Sequence, residues 1–269
     1  MISAFCHSEP ESGSDVAAAK TRAVRDGDDW IINGQKMFTS LADVAEWVFL
    51  LARTNTEVPK HRGLTFFLVP VDSPGIEVQE VRTLSGKRTN ITFYDDVRVN
   101  DRMRVGDVDG GWSVMLVALA FERGVAGGVA DVAALYDAAL TCAREITAPD
   151  GARLIDDASA RERLARVAID TEVCELLGDR AAWVAVNGLP KTEGAEVKLF
   201  ATEAYGRASS ALVDMLGVDG LVSDHAGHSP GGIVEYSYRV APIFTTAGGT
   251  SEIQKNLIAE RGLGLPRSR

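Results

Sequence analysis

Short apolar runs separated by turn-forming residues fill the first hundred positions of the chain. β-Branched and aromatic residues dominate these runs, and prolines and glycines stand between them, which is typical of a sheet with short connections. The pattern predicts hairpin turns at Asp26-Gly27 and Asn33-Gly34 within residues 23–38, and further strands at 47–52, 64–69, 76–81 and 90–99. We therefore expect a β domain over residues 1–108, an antiparallel barrel or sandwich.

The pattern changes after the segment VGDVDGGW, which ends at Trp112. Alanine-rich stretches follow, with apolar residues at helical spacing, and they continue with interruptions to the end of the chain. We place the boundary near Gly106 to Gly111 and expect an antiparallel four-helix bundle over residues 109–269. A β domain followed by a bundle is an α+β arrangement of two domains.

Composition and charge exclude several classes of function. The chain has 269 residues, of which 38 are acidic and 28 basic, giving a formal net charge of -10. No basic stripe is available for a phosphate backbone, so we expect no nucleic-acid partner. Charges interrupt the apolar stretches before the roughly 20 residues that a membrane span needs, and we expect a cytoplasmic protein. The odd number of cysteines, 3, argues against a disulfide framework.

The first candidate for chemistry is an ionic pair at the apolar face of the first predicted helix. Its apolar stripe runs through Trp112, Met115, Leu116 and Leu119 and continues at Ala126 and Ala130. Glu122 and Arg123 fall on or beside that stripe. They form either a structural bridge to another helix, or a catalytic carboxylate in a dry site with an arginine that orients a neighbouring group.

Two other stretches suggest ligand contacts. The segment FCHSEPESGSD is rich in hydroxyl groups, and it is either a surface loop or a ligand loop in which Ser8 and Ser14 bind a cofactor or substrate. The segment TTAGGTSEIQKN places Gly248 and Gly249 directly before a predicted helix that Thr250 can cap. Glycines at such a position leave room for a ligand near the free N–H groups of the helix.

Other site types have little support in the sequence. His225 and His228 are three residues apart, but their segment is rich in glycine and proline and offers no third ligand, so we expect no metal site. The chain has no Walker loop, no G-x-G-x-x-G after a strand and no G-x-S-x-G elbow. These absences argue against nucleoside triphosphates, nicotinamide cofactors and the α/β-hydrolase mechanism.

Four segments, in their order along the chain, resemble the acyl-CoA dehydrogenases, flavoproteins that desaturate acyl-CoA thioesters between the α and β carbons. SEPESGSD is similar to the family's T-E-P-x-x-G-S-D segment, and WIINGQKMFTS to the hairpin that follows it. FYDDVRV resembles the strand that closes the β domain, and AGGTSEIQKNLIAERGLG the C-terminal signature. The resemblance covers nearly the whole chain.

The resemblance implies FAD as the cofactor and places particular residues beside it. The flavin contacts would be Phe5, His7, Ser8, Phe38, Ser40, Gly249, Thr250 and Glu252, with Gly217 close to the ADP portion. Ser14 would lie along the acyl-CoA substrate, and Gly248 would allow the backbone to approach it. Phe38 and Ser40 stand where the family usually has a tryptophan and a threonine.

The implied reaction removes the α proton with a carboxylate while the β hydrogen leaves as hydride to flavin N5. Hydrogen bonds from a backbone N–H and the flavin ribose polarise the thioester carbonyl. Many members of the family have the base in a Y-E-G-T arrangement, where this chain has Gly248. A second branch, which includes isovaleryl-type enzymes, supplies it from an L-x-x-E-R context, which here is Leu119 to Arg123. Glu122 is therefore the expected base, with Arg123 beside it.

Two departures from the family pattern leave alternatives open. The N-terminal helical domain of the family is not represented, so we expect a fragment, a misassigned start, or one half of a split system whose partner supplies those helices. The R-x-x-F-G segment that reaches a neighbouring subunit's FAD is also absent from residues 143–165.

The leading hypothesis is an FAD-dependent acyl-CoA dehydrogenase, and the alternatives are a non-catalytic or truncated subunit that needs a partner, and a domain without ligand. The family also implies electron-transfer flavoprotein as acceptor and a homo- or hetero-oligomer of the dimer-of-dimers type. Gly248 and Phe38 are compatible with a branched or ring-bearing acyl group.

Overall fold

The computed structural model describes residues 2–125, 128–147, 150–188, 191–223 and 229–267, with the side chains of residues 120–125 outside that description. The chain divides into two compact units, Met1–Leu119 and Ala120–Arg269, called here the β unit and the helical unit. The expected α+β arrangement is therefore confirmed. The predicted domain boundary at residues 108 and 109 stays a prediction.

The β unit contains an eight-stranded sheet. Its strands are β1 Ser3–Cys6, β2 Arg22–Asp26, β3 Asp29–Lys36, β4 Trp47–Arg53, β5 Leu64–Pro70, β6 Ile76–Arg82, β7 Arg88–Asn100 and β8 Arg104–Val105. Seven of them follow the order β6-β7-β3-β2-β4-β5-β8, and β1 pairs with β4 off that path. The pairings are antiparallel except that β1 and β2 both run parallel to β4. The expectation of a wholly antiparallel sheet is wrong at these two pairings.

The predicted hairpin is present, but only one of its two predicted turns is a turn. Gly27 has a φ of 63° between β2 and β3, as a tight connection requires. Asn33-Gly34 instead lies inside β3, where the register against β7 shifts between Ile32 and Gly34. A Cβ atom on Gly34 would stand 2.7 Å from the Cα of Thr21. The glycine therefore marks a β-bulge with a close backbone approach, and the turn prediction there is wrong.

Apolar residues on β4 and β5 form the centre of the β unit. Leu50 and Phe67 are completely buried, and so are Leu51 and Phe66 in a second cluster. Met115, from the start of the first long helix, is buried against this second cluster. Because both strands are buried along most of their length, they read as continuous apolar runs rather than as alternating ones.

The helices are α1 Gly111–Val125, α2 Val129–Glu145, α3 Ala158–Asn187, α4 Glu193–Leu216, α5 Pro230–Phe244 and α6 Ser251–Leu257. Helices α2 to α5 pack on one another around a single apolar core, which confirms the predicted bundle. Helix α6 is continued by a π-helical turn, Ile258–Gly262. Among the described residues, no helix has the length and apolarity that a membrane crossing requires.

Asp101 connects the β2–β3 hairpin to the end of β7. Its carboxylate accepts hydrogen bonds from Arg104 at 3.1 Å and from the indole of Trp30 at 2.7 Å. These two hydrogen bonds lower the pKa of Asp101 to about 2. A lowered pKa means that the carboxylate stabilises the fold above its unfolded pKa, and that this stabilisation is lost as the pH falls toward 2.

We expect Asp101→Asn to cost about 1 kcal/mol of unfolding free energy at pH 7, since the hydrogen bonds to a charged acceptor are lost at a partly exposed site. Urea unfolding of the variant and the parent between pH 7 and pH 2 measures the difference. The gap should close between about pH 4 and pH 2. A gap that stays constant over this range would contradict the assignment of the stabilisation to the charge.

Candidate functional site

A buried ion pair fixes the loop that follows β1. Lys36 Nζ lies 2.8 Å from Glu9 Oε1, and the two side chains are 0% and 6% exposed. Glu9 also accepts hydrogen bonds from the backbone N–H groups of Lys20, at 2.6 Å, and Thr21, at 2.9 Å. The carboxylate therefore joins both ends of the loop to the end of β3.

The same ion pair sets the ionisation of its neighbours. Burial raises the pKa of Glu9, but the charge and hydrogen bond of Lys36 outweigh it, so the pKa of Glu9 is lowered. Burial also lowers the pKa of Lys36. Burial, and then the positive charge of Lys36, lower the pKa of His7 to about 4. The imidazole is therefore neutral at pH 7, and its Nδ1 atom is buried without a hydrogen-bond partner among the described residues.

The structure brings His7 and Ser8 close to the segment that contains Phe38. Lys36 Nζ donates to the carbonyl of His7 at 3.2 Å, and the N–H of Met37 donates to the carbonyl of Ser8 at 2.9 Å. Phe38 has a φ of 60° and is 62% exposed. An aromatic ring held in a left-handed backbone position and open to solvent is available for stacking on a planar ligand.

The other three predicted site residues of the β unit, Phe5, Ser40 and Ser14, lie in an aromatic cluster, beside a threonine hydroxyl and on an exposed loop, respectively. Phe5 belongs to an aromatic group with His7, Phe49 and Phe66, at ring-centroid distances of 4.5, 5.7 and 6.0 Å. Ser40 Oγ lies 3.1 Å from Thr89 Oγ1. Ser14 is exposed on the loop. Phe5 thus fixes the position of its neighbour His7, while Ser14 remains open to a ligand.

Two buried side chains of the helical unit fix the glycine turn, residues 245–250. Lys198 Nζ donates to the carbonyl of Gly249 at 2.7 Å, and Gln254 Nε2 donates to the carbonyls of Gly248 and Gly249 at 3.1 and 3.0 Å. Lys198 and Gln254 are 1% and 0% exposed. The two glycines have φ values of 66° and 95°, which few other residues adopt. The turn is therefore a rigid element.

The start of α6 follows the prediction closely. Thr250 is the N-cap, and its side chain accepts from the N–H of Ile253 at 3.3 Å. Glu252 is exposed in the first turn, where its own backbone N–H and then the Thr250 side chain lower its pKa. Ser251 Oγ is buried without a hydrogen-bond partner among the described residues. Gly217 caps α4 with a φ of 58° and is exposed.

Gly249→Ala should weaken the glycine turn, since the new Cβ atom would lie 2.7 Å from Gln254 Nε2 and the φ of 95° is unfavourable for alanine. The expected cost is about 2 kcal/mol, or a melting temperature roughly 5 °C lower. Differential scanning fluorimetry measures the change. Gly264→Ala is the matched control, because Gly264 also has a positive φ, 69°, but its Cβ atom would meet nothing within 4 Å. Equal losses in the two variants would show that Gln254 plays no special part.

Glu122 and Arg123 lie in helix α1, and their side chains are outside the described part of the structure. The apolar stripe that leads to them is only partly as predicted. Met115 is buried and Trp112 and Leu119 are half-buried, but Leu116 is 43% exposed, so its inclusion in the stripe is wrong. His225 and His228 also lie outside the described residues, and the part of the chain that the structure describes contains no group of three potential metal ligands.

Two buried lysines were not predicted from the sequence: Lys36, which holds the loop after β1, and Lys198, which holds the glycine turn. Lys36 has the same parity on β3 as the buried Trp30 and Ile32, and Lys198 lies three residues before the buried Ala201 on α4. A lysine at an inward-facing position of an apolar pattern was the available signal, since such a charge must be paired or hydrogen-bonded.

The chain matches two family profiles. The profile described as "Acyl-CoA dehydrogenase, middle domain" matches residues 4–97, and the profile described as "Acyl-CoA dehydrogenase, C-terminal domain" matches residues 109–263. Among curated proteins, the acyl-CoA dehydrogenase FadE26 of Mycobacterium tuberculosis is 36% identical over 275 residues. The matched region covers 97% of this chain and 68% of that relative.

Solved structures are similar over almost the whole chain. The crystal structure of the ChsE4-ChsE5 complex from Mycobacterium tuberculosis matches with a TM-score of 0.89 and 36% identity, covering 99% of this chain and 69% of the other. A structure described as "Tcur3481-Tcur3483 steroid ACAD" matches with a TM-score of 0.91 and 31% identity, covering 100% and 69%. The chain therefore spans about two thirds of the length of the proteins that it resembles.

Proposed function

The chain belongs to the acyl-CoA dehydrogenase family, whose members are FAD-dependent oxidoreductases, and we propose that it desaturates an acyl-CoA thioester with Glu122 as the base. The observation that carries this proposal is Gly248, which stands where many members of the family have the carboxylate. Gly248 offers no side chain, and its φ of 66° and the hydrogen bond from Gln254 fix its backbone. The base must then come from another position.

Glu122 is the best remaining carboxylate because it follows Leu119 on α1 in the L-x-x-E-R context of the second branch of the family. Its role is to remove the proton from the α carbon of the acyl group. Arg123 orients a neighbouring group or an anion. A base of this kind needs a dry site, in which a carboxylate has a raised pKa and accepts a proton readily.

The described residues suit a flavin in two places. In the β unit, the exposed ring of Phe38 can stack on a planar ring system, and the neutral His7 has a buried ring nitrogen without a partner. In the helical unit, Thr250 and the buried hydroxyl of Ser251 stand at the start of α6 after two glycines. When bound, FAD supplies N5 as the acceptor of the hydrogen that leaves the β carbon.

Other residues have supporting roles in the proposal. Ser8 and Ser40 make hydrogen bonds that position the segment around Phe38. Glu252 and Gly217, in the helical unit, are assigned as flavin contacts, with Gly217 close to the ADP portion. Ser14 and Gly248 are assigned to the acyl-CoA substrate. We also propose that the protein is cytoplasmic and that electron-transfer flavoprotein accepts the electrons from the reduced flavin.

The acyl group proposed for this chain is bulky and contains a ring. The missing side chain at Gly248 and the replacement of tryptophan by Phe38 both leave more room than the usual family residues. One of the similar solved structures is described as a steroid ACAD, which supports this choice. A CoA thioester with a steroid-like acyl group should therefore give a higher kcat/KM than octanoyl-CoA.

A second candidate is a subunit that needs a partner chain for activity. The observation that favours it is that one similar structure is a complex of two named proteins, ChsE4 and ChsE5. Under this candidate the chain contributes flavin or interface contacts, and the partner completes the site. Activity that appears only after co-expression with a neighbouring dehydrogenase gene would support it.

Anaerobic titration with acyl-CoA tests the main proposal. The purified protein, reconstituted with FAD, should show the visible absorbance of bound flavin, and that absorbance should bleach when a steroid-type acyl-CoA is added. Bleaching by the chain alone would rule out the second candidate. Flavin binding without bleaching, whether alone or with a partner, would contradict the proposed dehydrogenase activity.

A further inference from the structure

Two residues other than glycine have a left-handed backbone in the short segment after β3. Phe38 has a φ of 60° and Leu41 a φ of 68°, and their side chains are 62% and 56% exposed. This conformation is uncommon for large side chains and costs conformational energy. It persists only where the surrounding contacts impose it. Residues 38–43 are called here the Phe38 turn.

Asn90, on β7, makes three hydrogen bonds to the Phe38 turn. The N–H of Thr39 donates to the backbone carbonyl of Asn90 at 2.9 Å, and Asn90 Nδ2 donates to the carbonyl of Thr39 at 3.1 Å. The same Nδ2 donates to Asp43 Oδ1 at 3.1 Å. Both neighbours of Nδ2 are acceptors, so they fix which end of the amide faces the turn. One buried residue of the sheet thus holds both main-chain groups of Thr39, the residue after Phe38.

The side chain of Thr39 is held as well. Its Oγ1 lies 3.4 Å from the Sγ atom of Cys6, at the end of β1, and 3.5 Å from Thr92 Oγ1 on β7. These contacts fix the side chain, whereas the Asn90 amide fixes the peptide group that follows Thr39. The centre of the Phe38 turn is therefore fixed relative to the sheet, and the exposed ring of Phe38 is attached to this fixed centre.

Stability alone does not explain the amide of Asn90. Its Oδ1 atom is buried without a hydrogen-bond partner among the described residues, and such an acceptor costs stability. Without the amide, the carbonyl of Thr39 would still accept from the N–H of Ala42 at 3.3 Å, and Asp43 is exposed to water. An apolar side chain of the same shape would therefore suit the fold nearly as well. The two donors of the amide serve the conformation of the turn.

We propose that Asn90 is a positioning residue for the flavin that acts through Phe38, an inference that rests on the proposed function. Its amide holds the Phe38 turn in the left-handed conformation that presents the ring for stacking on a planar ligand. A ring that is already in place does not have to be ordered when the flavin binds, so the affinity is higher. Asn90 is fully buried and acts only through the turn.

Asn90→Leu separates this role from a structural one, because leucine has the same branched skeleton as asparagine but donates no hydrogen bond. The loosened turn should weaken FAD binding by about tenfold and reduce the visible circular dichroism of the bound flavin. The melting temperature of the flavin-free protein should fall by less than about 3 °C, since no buried group loses its last partner. Titration of FAD fluorescence measures the affinity. A purely structural residue would instead lower the melting temperature and leave the flavin spectrum unchanged.

Two double variants test whether Asn90 acts through the turn. Leu41→Asn should improve FAD binding of Asn90→Leu by at least about threefold, because asparagine adopts the left-handed conformation more readily than leucine. Leu41 is exposed, so this change leaves the core intact. Phe38→Ala should itself weaken FAD binding by about tenfold. In that background Asn90→Leu should have hardly any further effect, because the ring through which it acts is missing.

The matched control is Asn100→Leu, at the other end of β7, where the asparagine donates to Asp29 at 2.8 Å. It should keep the FAD affinity and the flavin spectrum of the parent. FAD affinity of Asn90→Leu equal to that of Asn100→Leu would overturn the inference. So would an Asn90→Leu variant that loses as much affinity in the Phe38→Ala background as in the parent.

Asp43 provides a milder test in case Asn90→Leu does not fold. Asp43→Ala removes one of the two acceptors of Asn90 Nδ2 at an exposed position, whereas Asp43→Asn keeps an acceptor oxygen there. Only the alanine variant should weaken FAD binding, and equal affinities of the two variants would contradict the inference. If FAD binding depends on Asn90 but acyl-CoA never bleaches the flavin, the positioning role stands and only the proposed reaction fails.

Discussion

Lys36→Met is expected to destabilise the protein by about 3 to 5 kcal/mol, because it leaves the buried carboxylate of Glu9 without its cation. The substitution also removes the donor to the carbonyl of His7. Methionine fills a similar volume, so the loss measures the charge and not a cavity. Urea unfolding at pH 7, monitored by tryptophan fluorescence, gives the free energy of unfolding of variant and parent.

The double variant Lys36→Met/Glu9→Gln separates the ion pair from simple loss of structure. The N–H groups of Lys20 and Thr21 donate to different oxygens of Glu9, so the single amide oxygen of glutamine can keep one of these hydrogen bonds, while no uncompensated carboxylate remains in the core. At least half of the lost stability should return. A single variant that loses less than about 1 kcal/mol would contradict the anchoring role of Lys36, as would a double variant no more stable than the single one.

The pH dependence of the Lys36→Met deficit has a definite sign. In the parent, the pKa of Glu9 is lowered, so its carboxylate stabilises the fold at neutral pH and loses this effect in acid. In the variant, burial still raises the pKa of Glu9 and the N–H groups of Lys20 and Thr21 still lower it, but the lowering by Lys36 is lost. Glu9 is therefore protonated at a higher pH than in the parent, and its protonation stabilises the variant as the pH falls. Both effects shrink the gap below about pH 5, where the deficit should be smaller than at pH 7.

Most of the sheet could be predicted because its strands are separated by strong turn signals. The predicted strands at 47–52, 64–69 and 76–81 agree closely with β4, β5 and β6. Strand β1 was not predicted, since its partner β4 lies more than forty residues away and the parallel pairing leaves no local signal. The wrong turn at Asn33-Gly34 has a similar origin, because the need for glycine there comes from Thr21 on another segment.

The local backbone features of the candidate site could be predicted from the sequence, but its long-range side-chain contacts could not. The cap at Thr250 and the glycines before it follow from local backbone rules, and the structure has them as expected. The contacts of Gln254 and Lys198 with the glycine turn depend on packing of α4 against α6 and could not be read from spacing.

Glu122→Gln is expected to slow the reduction of the bound flavin by acyl-CoA by about 10²- to 10⁴-fold. Glutamine has nearly the same shape as glutamate, so the fold and flavin binding should be kept, but its amide cannot take the α proton. Glu122→Asp retains a carboxylate on a shorter side chain and should give an intermediate rate. Glu145→Gln, an exposed glutamate at the end of α2, is the matched control and should reduce as the parent does.

Anaerobic stopped-flow absorbance of the parent and of Glu122→Gln, each with its flavin content checked first, is the most direct measurement of the proposed reaction. If Glu122 is the base, both proteins start with equal flavin absorbance, the parent bleaches on mixing with acyl-CoA, and the variant bleaches at least about a hundred times more slowly. A Glu122→Gln variant that bleaches as fast as the parent would contradict Glu122 as the base.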